Sequence, residues 1–577
     1  MSEPRPSRKS SSTQHFIRWR FIVVCTGMCL ALGVLIARAA YIQVIEPGRL
    51  RYEGDRRSIR TTTLESARGI ITDRNGEQLA ISVPVQAVTA DPKVILDAGI
   101  EKNIDYWYAL ADVLALDRQH MLDRIQANPE RRFLYLQRQV SPAMANYVKN
   151  LELPGISLRA ESRRYYPAGE VSAHIVGVTG IDARGLEGVE RTYDGWLTGM
   201  PGARTVRKDR YGRVVENLEV KEREPGKPLQ LSIDQRIQAV AYRAAKQATV
   251  DVPATSVSIV MADVTTGEIL AMVNSPSYNP NNRAGWETFR MRNRTITDAL
   301  EPGSSIKPFV VLAAMEQGVA DENTVIDTGN GIMQIGGSRV RDVSRTGRAD
   351  LRRILQKSSN VGVSKLSLQM PIQELLAFYS NVGLEGSSGL SLVGETQGIF
   401  PHRNRWSDFE RATISFGYGL SVTPVQLLRS YVTLGGVGVA RPLSIVKLEG
   451  EVPGVRVASE ENTRKLLSML GSVTIKEEGG SAWRAAVPGY QVGAKTGTAV
   501  KAVSGGYGDD YVAFTAGLAP ITDPKLALVV VVNEPQGDQY YGGAVAAPIF
   551  AEVMKSALQI LNVPPDDLDG GLQIVTN

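Results

Sequence analysis

A serine and a lysine three residues apart, Ser304 and Lys307, lie in the stretch "EPGSSIKPF" at residues 301–309 and could act as a nucleophile and its base. A serine hydroxyl is a poor nucleophile until a base takes its proton, and a lysine can be that base when burial or nearby cations lower its pKa. Pro308 lacks the N–H that a helix interior needs, so it belongs in a first turn. We therefore predict a 3₁₀ turn over Ser304 to Lys307, followed by a helix. Residues three apart nearly eclipse in such a turn, which pairs Ser304 with Lys307 and points Ser305 away.

The Ser-x-x-Lys spacing is weak by itself, because a chain of this length holds about two copies by chance. A second copy, Ser444 to Lys447, follows Pro442 in an alternating run, where residues three apart point to opposite faces of a strand. We predict that this copy is structural. A histidine base is not expected either, since His402, the one histidine of the C-terminal half, lies in the polar stretch "FPHRNRW" and is predicted to be an exposed loop residue.

A second polar motif follows the nucleophile in "KSSNVG" at residues 357–362. It supplies Ser358 and Asn360, whose side chains can point together from a loop into a cleft. A chance copy, Ser277 and Asn279, precedes the nucleophile in "SPSYNPN", which reads as a turn.

A third motif lies in "VGAKTGTAV" at residues 492–500, on a predicted strand. It consists of Lys495, Thr496, Gly497 and Thr498. A glycine inside a strand allows the close approach of another group, here predicted to be a ligand. Each motif is common alone, but their occurrence together and in this order is not.

In this order the three motifs resemble the signatures of the penicillin-binding and β-lactamase serine acyl-transferases. Further stretches, "RGIITDRNG" (68–76), "RRYYPAGEVSAHIVGVTG" (163–180) and "GVERTYDGWLTGMPG" (188–202), resemble the non-catalytic module of class B penicillin-binding proteins. Nearly the whole chain thus resembles the cell-division transpeptidases of Gram-negative bacteria. The family usually has Phe at position 300 and Thr-Val between its serine and lysine, and here the departures are Leu300, Ser305 and Ile306.

The resemblance implies a role for each matched residue. Ser304 would attack the carbonyl of the D-Ala-D-Ala bond in a peptidoglycan stem peptide, D-Ala would leave, and an acyl-enzyme would remain. Lys307 would be the base. Ser358, held by Asn360 and Lys495, would relay a proton to the leaving amine.

The resemblance also implies how the substrate is held. The backbone N–H groups of Ser304 and Thr498 would form the oxyanion hole. The hydroxyls of Thr496 and Thr498 would bind the terminal carboxylate, beside Gly497. A β-lactam mimics D-Ala-D-Ala and would acylate Ser304. No cofactor and no metal are implied.

The charge of the chain is concentrated at its N-terminus. Of the formal +5, +4 comes from the first twenty residues, through Arg5, Arg8, Lys9, Arg18 and Arg20 against Glu3. The nearly neutral remainder argues against a nucleic-acid surface. The basic end precedes an apolar run, which we predict to be an uncleaved transmembrane anchor at 21–42 with a cytoplasmic tail at 1–20; a cleaved signal peptide is the rival.

Everything after this anchor is then expected outside the cytoplasm. The two cysteines of the chain, Cys25 and Cys29, lie within the apolar run. The external part is therefore expected to fold without disulfides, cysteine chemistry or structural zinc.

The rest of the chain divides at a linker of charge, Pro and Gly, "KEREPGKPLQ" at 221–230. We predict an elongated, β-rich, non-catalytic pedestal over 43–225 and a catalytic domain over 226–577. The order of strands and helices in the catalytic domain indicates an α+β fold, in which helices cover an antiparallel sheet. By the resemblance, this is the penicillin-binding/β-lactamase-like transpeptidase fold.

Several alternatives stay open. The chain could be the housekeeping division enzyme or a condition-specific paralogue, and a non-catalytic division scaffold or an anchored β-lactamase is less favoured. By resemblance, partners would include peptidoglycan stem peptides, β-lactams, a membrane glycan polymerase and other division proteins at the septum. Arg68, Asp73 and Arg164 would hold the pedestal together or meet a partner. Five tyrosines could line the cleft or pack elsewhere: Tyr418, Tyr507, Tyr511, Tyr540 and Tyr541.

Overall fold

The computed structural model describes residues 13–45, 47–64, 66–209, 213–450, 452–503 and 506–567. The helices of the first part are α1 Thr13–Ala40, α2 Pro47–Ser58, α3 Pro92–Ala98, α4 Ile104–Val113, α5 Arg118–Gln126, α6 Pro142–Asn150, α7 Ala173–Val176, α8 Gly188–Thr192 and α9 Asp194–Leu197. Those that follow are α10 Gln235–Asp251, α11 Thr288–Met291, α12 Arg294–Thr297, α13 Lys307–Glu316, α14 Leu351–Gln356, α15 Asn360–Gln369, α16 Ile372–Val382, α17 Asp408–Ser415, α18 Pro424–Gly435, α19 Glu460–Gly471, α20 Gly542–Val545 and α21 Ala547–Ile560.

The strands are mostly short in the first half and long in the last sheet. They are β1 Ile59–Leu64, β2 Ile71–Thr72, β3 Gln78–Ala90, β4 Leu134–Val140, β5 Ile156–Tyr165, β6 Gly202–Lys208, β7 Val214–Lys221, β8 Leu229–Gln230, β9 Ala254–Asp263 and β10 Ile269–Ser275. After them come β11 Val325–Asp327, β12 Ile332–Ile335, β13 Ser338–Arg341, β14 Arg348–Asp350, β15 Val439–Ala440, β16 Val455–Arg456, β17 Gly493–Val503, β18 Gly506–Ala519 and β19 Leu526–Pro535.

The chain forms two compact units. The first comprises the residues up to Ser66 together with Met200–Glu224, and the second comprises Ala67–Gly199 and the chain from Pro225 onwards. In the first unit β1, β6 and β7 form an antiparallel sheet in that order. Its helical segment Arg18–Val44 is long and apolar enough to cross a membrane.

The N-terminal half of the second unit is built around β3. This strand pairs antiparallel with β2, β4 and β5, and β2 pairs parallel with β8. The turn between β2 and β3 contains Asn75 and Gly76, residue types that favour hairpin turns. A small core lies beside this sheet, where Trp107, Leu110 and Ile125 of α4 and α5 are buried.

A buried ion-pair network joins the segments of this half. Arg68 Nε donates to Glu190 Oε2 at 2.5 Å and Arg68 Nη1 to Asp194 Oδ1 at 2.7 Å, while Arg164 Nε donates to Glu190 Oε1 at 2.6 Å. Both arginines and Glu190 are buried within the chain. Of the two roles considered for Arg68 and Arg164, the structure therefore favours holding this part of the chain together. Buried charges need such partners, since an unpaired one is expensive.

Asp73 performs a related task at the contact with the C-terminal part. It is fully buried, its Oδ1 accepts from the backbone N–H of Asn75 at 2.7 Å, and its Oδ2 accepts from that of Gln235 at 3.1 Å. Asn75 Nδ2 in turn donates to Asp234 Oδ2 at 3.2 Å. The turn before β3 is thus joined to the first turn of α10.

The C-terminal part is centred on an antiparallel sheet with the strand order β10-β9-β19-β18-β17. A turn at Thr266 and Gly267 joins β9 to β10, and the chain leads from β19 through α20 to α21. Every residue of β10 is buried, so both faces of the sheet are covered here. α10 and α21 contact each other and the sheet, and α18 packs against β9 and β19. The predicted α+β fold with helices covering an antiparallel sheet is confirmed.

Candidate active site

The nucleophile motif adopts the predicted turn. Gly303–Ile306 is a 3₁₀ helix, and α13 follows directly with Lys307 and Pro308 in its first turn. Ser305 is buried, and its Oγ donates to the carbonyl of Pro302 at 2.7 Å. Ser304 remains partly exposed and lines a cleft of about 870 Å³. Of the two adjacent serines, only Ser304 is therefore accessible to a substrate.

This turn lies against β17 so closely that two glycines are required at the contact. A Cβ on Gly497 would lie 2.8 Å from the carbonyl oxygen of Pro302, and one on Gly303 would lie 3.1 Å from that of Thr498. Gly303 also has a φ of +54°, a region that side chains disfavour. The close approach that the sequence predicted at Gly497 is made by the nucleophile turn, and Gly497 also lines the cleft, where the predicted approach of a ligand stays a prediction.

The Ser358–Asn360 loop connects α14 to α15. Ser358 has a φ of +55°, which is unusual for a residue with a side chain. Ser359 is fully buried and caps α15, because its Oγ accepts from the backbone N–H of Gly362 at 2.9 Å. The left-handed residue turns the chain so that Ser358 and Asn360 both line the cleft.

Lys307 is bonded to this loop. Its Nζ donates to the Ser358 carbonyl at 2.5 Å, to Ser358 Oγ at 3.2 Å and to Asn360 Oδ1 at 2.7 Å. Within the part of the chain that the structure describes, the Ser304 hydroxyl makes no hydrogen bond, so the direct pairing of Ser304 with Lys307 predicted from the sequence is not seen. An ammonium group has three donors, and the loop offers three oxygens that satisfy them. To take the Ser304 proton, Lys307 must be neutral and release part of this network.

Lys495 approaches Ser358 from β17. Its Nζ donates to Ser358 Oγ at 2.9 Å and to the Thr496 carbonyl at 2.9 Å. The Ser358 hydroxyl oxygen thus lies between the two lysine nitrogens and accepts from both. Its own proton remains available for donation toward the cleft. The three predicted motifs, which lie far apart in the sequence, meet at this oxygen and around the cleft.

The two lysines are electrostatically unusual. Both side chains are fully buried. Burial and the neighbouring charge of Lys495 hold the pKa of Lys307 well below its ordinary value. Burial also lowers the pKa of Lys495, to about 7. A neutral amine is therefore available near neutral pH, as a general base requires.

The cleft itself is lined by the three motifs and by aromatic residues. Thr496, Gly497 and Thr498 form one wall, and Thr498 Oγ accepts from the backbone N–H of Gly542 at 3.0 Å. Four of the five tyrosines line the cleft: Tyr418, Tyr511, Tyr540 and Tyr541. The fifth, Tyr507, packs edge-on against Tyr418 at 5.8 Å between ring centroids.

The second copies of the Ser-x-x-Lys and Ser-x-Asn motifs have structural roles, as predicted. Ser444 Oγ donates to the Val446 carbonyl at 2.7 Å, and Lys447 Nζ donates to the Arg74 carbonyl at 3.1 Å. Ser277 is buried and bonds to the Glu170 carbonyl. His402 lies in a loop with its side chain 80% exposed and paired with Glu385.

Comparison with known families and proteins identifies the chain. The sequence-family model of the penicillin-binding protein transpeptidase domain matches residues 257–555. The family model of the penicillin-binding protein dimerisation domain matches residues 63–231. The peptidoglycan D,D-transpeptidase FtsI of Escherichia coli K12 is 51% identical over 568 residues, which cover 98% of this chain and 96% of that protein. A probable peptidoglycan D,D-transpeptidase of Pseudomonas aeruginosa, PbpC, is 38% identical, covering 95% of this chain and 96% of that protein.

Solved structures agree in fold. A peptidoglycan synthetase from Bifidobacterium adolescentis superposes with a TM-score of 0.69 at 25% identity, covering 88% of this chain and 97% of that one. Penicillin-binding protein 3 of Mycobacterium tuberculosis in complex with aztreonam gives a TM-score of 0.67 at 25% identity, covering 87% and 98%. With the catalytic motifs assembled around one cleft, the chain belongs to the class B penicillin-binding proteins, among the FtsI-like peptidoglycan D,D-transpeptidases.

Proposed function

We propose that the chain crosslinks peptidoglycan stem peptides through an acyl-enzyme on Ser304. Lys307, in its neutral form, accepts the Ser304 proton as Oγ attacks the carbonyl of the terminal D-Ala-D-Ala bond. Ser358 then passes a proton to the nitrogen of the leaving D-Ala, and Lys307 and Lys495 can resupply it. The observation that carries this proposal is the position of Ser358 Oγ, 3.2 Å from Lys307 Nζ and 2.9 Å from Lys495 Nζ.

The substrate would be held by the wall opposite the Ser358 loop. The backbone N–H groups of Ser304 and Thr498 would stabilise the oxyanion, and the hydroxyls of Thr496 and Thr498 would bind the terminal carboxylate. Gly497 keeps this wall in contact with the nucleophile turn. An amine on the stem peptide of a neighbouring peptidoglycan strand would then attack the ester, release Ser304 and complete the crosslink.

The place of action follows from the first part of the chain. We assign residues 21–42 to a single membrane anchor with residues 1–20 in the cytoplasm, 43–225 to a pedestal and 226–577 to the catalytic domain in the periplasm. The apolar helix at Arg18–Val44 and the two family matches support this division. By its likeness to FtsI, the protein would act at the division septum, with a membrane glycan polymerase and other division proteins as partners.

The test uses a labelled penicillin on the full-length chain in detergent, with the adduct followed for hours by intact mass spectrometry. We expect one stable adduct on wild-type protein and at least about a thousandfold less on Ser304→Ala. Ser444→Ala, which removes the serine of the second Ser-x-x-Lys copy, should be labelled as wild type is. Rapid loss of the adduct would favour a β-lactamase, and labelling that persists in Ser304→Ala would refute the site.

A further inference from the structure

A carboxylate outside the three motifs holds the Ser358–Asn360 loop. Asp342 directly follows β13, and its two oxygens bond to the two residues that flank Asn360. Oδ2 accepts from Ser359 Oγ at 2.6 Å, and Oδ1 accepts from the backbone N–H of Val361 at 2.9 Å. Hydrogen bonds to an ionised acceptor are about twice as strong as neutral ones. Asp342 therefore holds the loop on both sides of Asn360.

The residue before Asp342 orients that amide. The backbone carbonyl of Arg341 accepts from Asn360 Nδ2 at 2.8 Å. This bond turns Asn360 Oδ1 toward Lys307, whose Nζ lies 2.7 Å away. The end of β13 thus determines the direction in which the loop presents its acceptor to the lysine.

The loop needs such a tether because of its backbone. A left-handed residue with a side chain, here Ser358 at a φ of +55°, is strained and persists only where its surroundings hold it. Relaxation of Ser358 would move its Oγ away from both lysine nitrogens. Asp342 acts one residue further on, through the fully buried Ser359.

Asp342 also contributes its charge to the site. Two charged groups from the surrounding elements act on Lys307: Lys495 on β17, which disfavours the ammonium form, and Asp342, which favours it. The effect of Asp342 is the smaller one, so the pKa of Lys307 stays low, but above the value it would have without this carboxylate.

We propose that Asp342 is a positioning residue of the acyl transfer, which fixes the Ser358–Asn360 loop by two hydrogen bonds and contributes a negative charge that acts on Lys307. This inference rests on the proposed function, because it concerns the reaction in which Lys307 is the base. None of the sequence motifs includes Asp342, which lies 38 positions after Ser304.

The test measures the rate of acylation by labelled penicillin between about pH 5 and 9, using full-length protein in detergent. On the acid side the rate falls as Lys307 becomes protonated. In Asp342→Asn we expect this acid limb to move to lower pH, by about one pH unit, because the charge that favours the ammonium form is gone. The plateau rate should fall about tenfold, since the amide can replace only one of the two acceptor oxygens.

Two further variants separate the tether from the charge. Ser359→Ala loses the bond to Asp342 but keeps the carboxylate, so its plateau should fall while its acid limb stays at the wild-type pH. Asp350→Asn is the matched control. Asp350 caps α14 by accepting from the backbone N–H of Arg353 at 2.7 Å, and asparagine caps equally well, so the profile should be that of wild type.

The outcomes are distinguishable. A folded Asp342→Asn protein whose acid limb stays at the wild-type pH contradicts the proposal, whatever its plateau rate. If that variant does not fold, an unchanged plateau in Ser359→Ala contradicts the tether. A wild-type chain that forms no adduct on Ser304 refutes the proposed function instead.

Discussion

At the scale of residues, the proposed chemistry depends on two lysines that donate to one hydroxyl. Lys307 and Lys495 are fully buried, and both donate to Ser358 Oγ. Two ammonium groups cannot both remain charged cheaply in such a place, because burial and mutual repulsion disfavour the charged forms. The site therefore obtains a neutral amine from its own packing, without a histidine.

This arrangement has a measurable effect on stability. The folded-state pKa of Lys495 is about 7, whereas its ordinary value is 10.5. Between these values the unfolded chain binds a proton that the folded chain does not, so stability rises with pH across this window. Below about pH 7 both states are protonated, and the cost of burying the charge is fully present. We expect the melting temperature of wild type to rise relative to that of Lys495→Met between about pH 7 and 10, as followed by a thermal melt at several pH values.

The control for this prediction is Lys525→Met, which changes a partly exposed lysine between β18 and β19 that pairs with Asp523. Its melting temperature should differ from that of wild type by the same amount at every pH. A pH-independent difference for Lys495→Met as well would show that Lys495 is not neutralised by burial.

At the scale of elements, the cleft is formed where the nucleophile turn meets β17. The strand carries Lys495 and the threonines, and the turn carries Ser304. Contact between their backbones at Gly303 and Gly497 sets the distance between Ser304 and the wall formed by Thr496, Gly497 and Thr498. A side chain elsewhere in these elements can change its rotamer, whereas this backbone contact can change only if the turn and the strand move apart.

The alanine variant at Gly497 tests the contact. Its Cβ would lie 2.8 Å from the Pro302 carbonyl oxygen and 3.2 Å from the Ser305 nitrogen, so turn and strand must separate. We expect acylation by penicillin to slow at least about tenfold, because small misplacements of reacting groups are costly. Gly285→Ala is the control, since its Cβ would meet its nearest neighbour at an ordinary 3.7 Å. Equal acylation rates in the two variants would contradict the prediction.

At the scale of the whole molecule, the segment Ala67–Gly199 and the catalytic sheet belong to one compact unit. Asp73, Asn75 and Asp234 join them through hydrogen bonds at the start of α10. The pedestal half has its own internal support in the Arg68–Glu190–Arg164 network. Substitutions in this network should lower the stability of the protein without changing its rate of acylation, because none of these residues lines the cleft.

Glu190→Gln tests this separation. It removes the charge that pairs with two buried guanidinium groups, and the loss of one partner in a buried ion pair costs about 3–5 kcal/mol. We expect a melting temperature several degrees lower, with an unchanged rate of acylation at 25 °C. In the control, Glu130→Gln, the lost pair with Lys93 is exposed and screened by water, so the melting temperature should stay close to that of wild type. Similar melting temperatures for both variants would contradict the structural role of Glu190.

The sequence by itself determined the local features of this protein. Pro308 and the spacing of Ser304 and Lys307 predicted the 3₁₀ turn, because both follow from steric rules that act over a few residues. The hairpin at Gly76 is predictable for the same reason, and the apolar N-terminal helix is predictable from the length of its apolar run. The order of the three motifs indicated the family, and with it the fold.

The tertiary structure alone decided which atoms meet. Lys307 bonds to Ser358 and Asn360, 51 and 53 positions away, and Lys495 reaches Ser358 from 137 positions away. The tether at Asp342 leaves no local signal. A glycine within β17 signals a close approach but not which group approaches, because both features depend on backbone brought close by the packing of distant elements. Local rules constrain the shape of each segment, whereas the burial that neutralises a lysine exists only after the elements have packed around it.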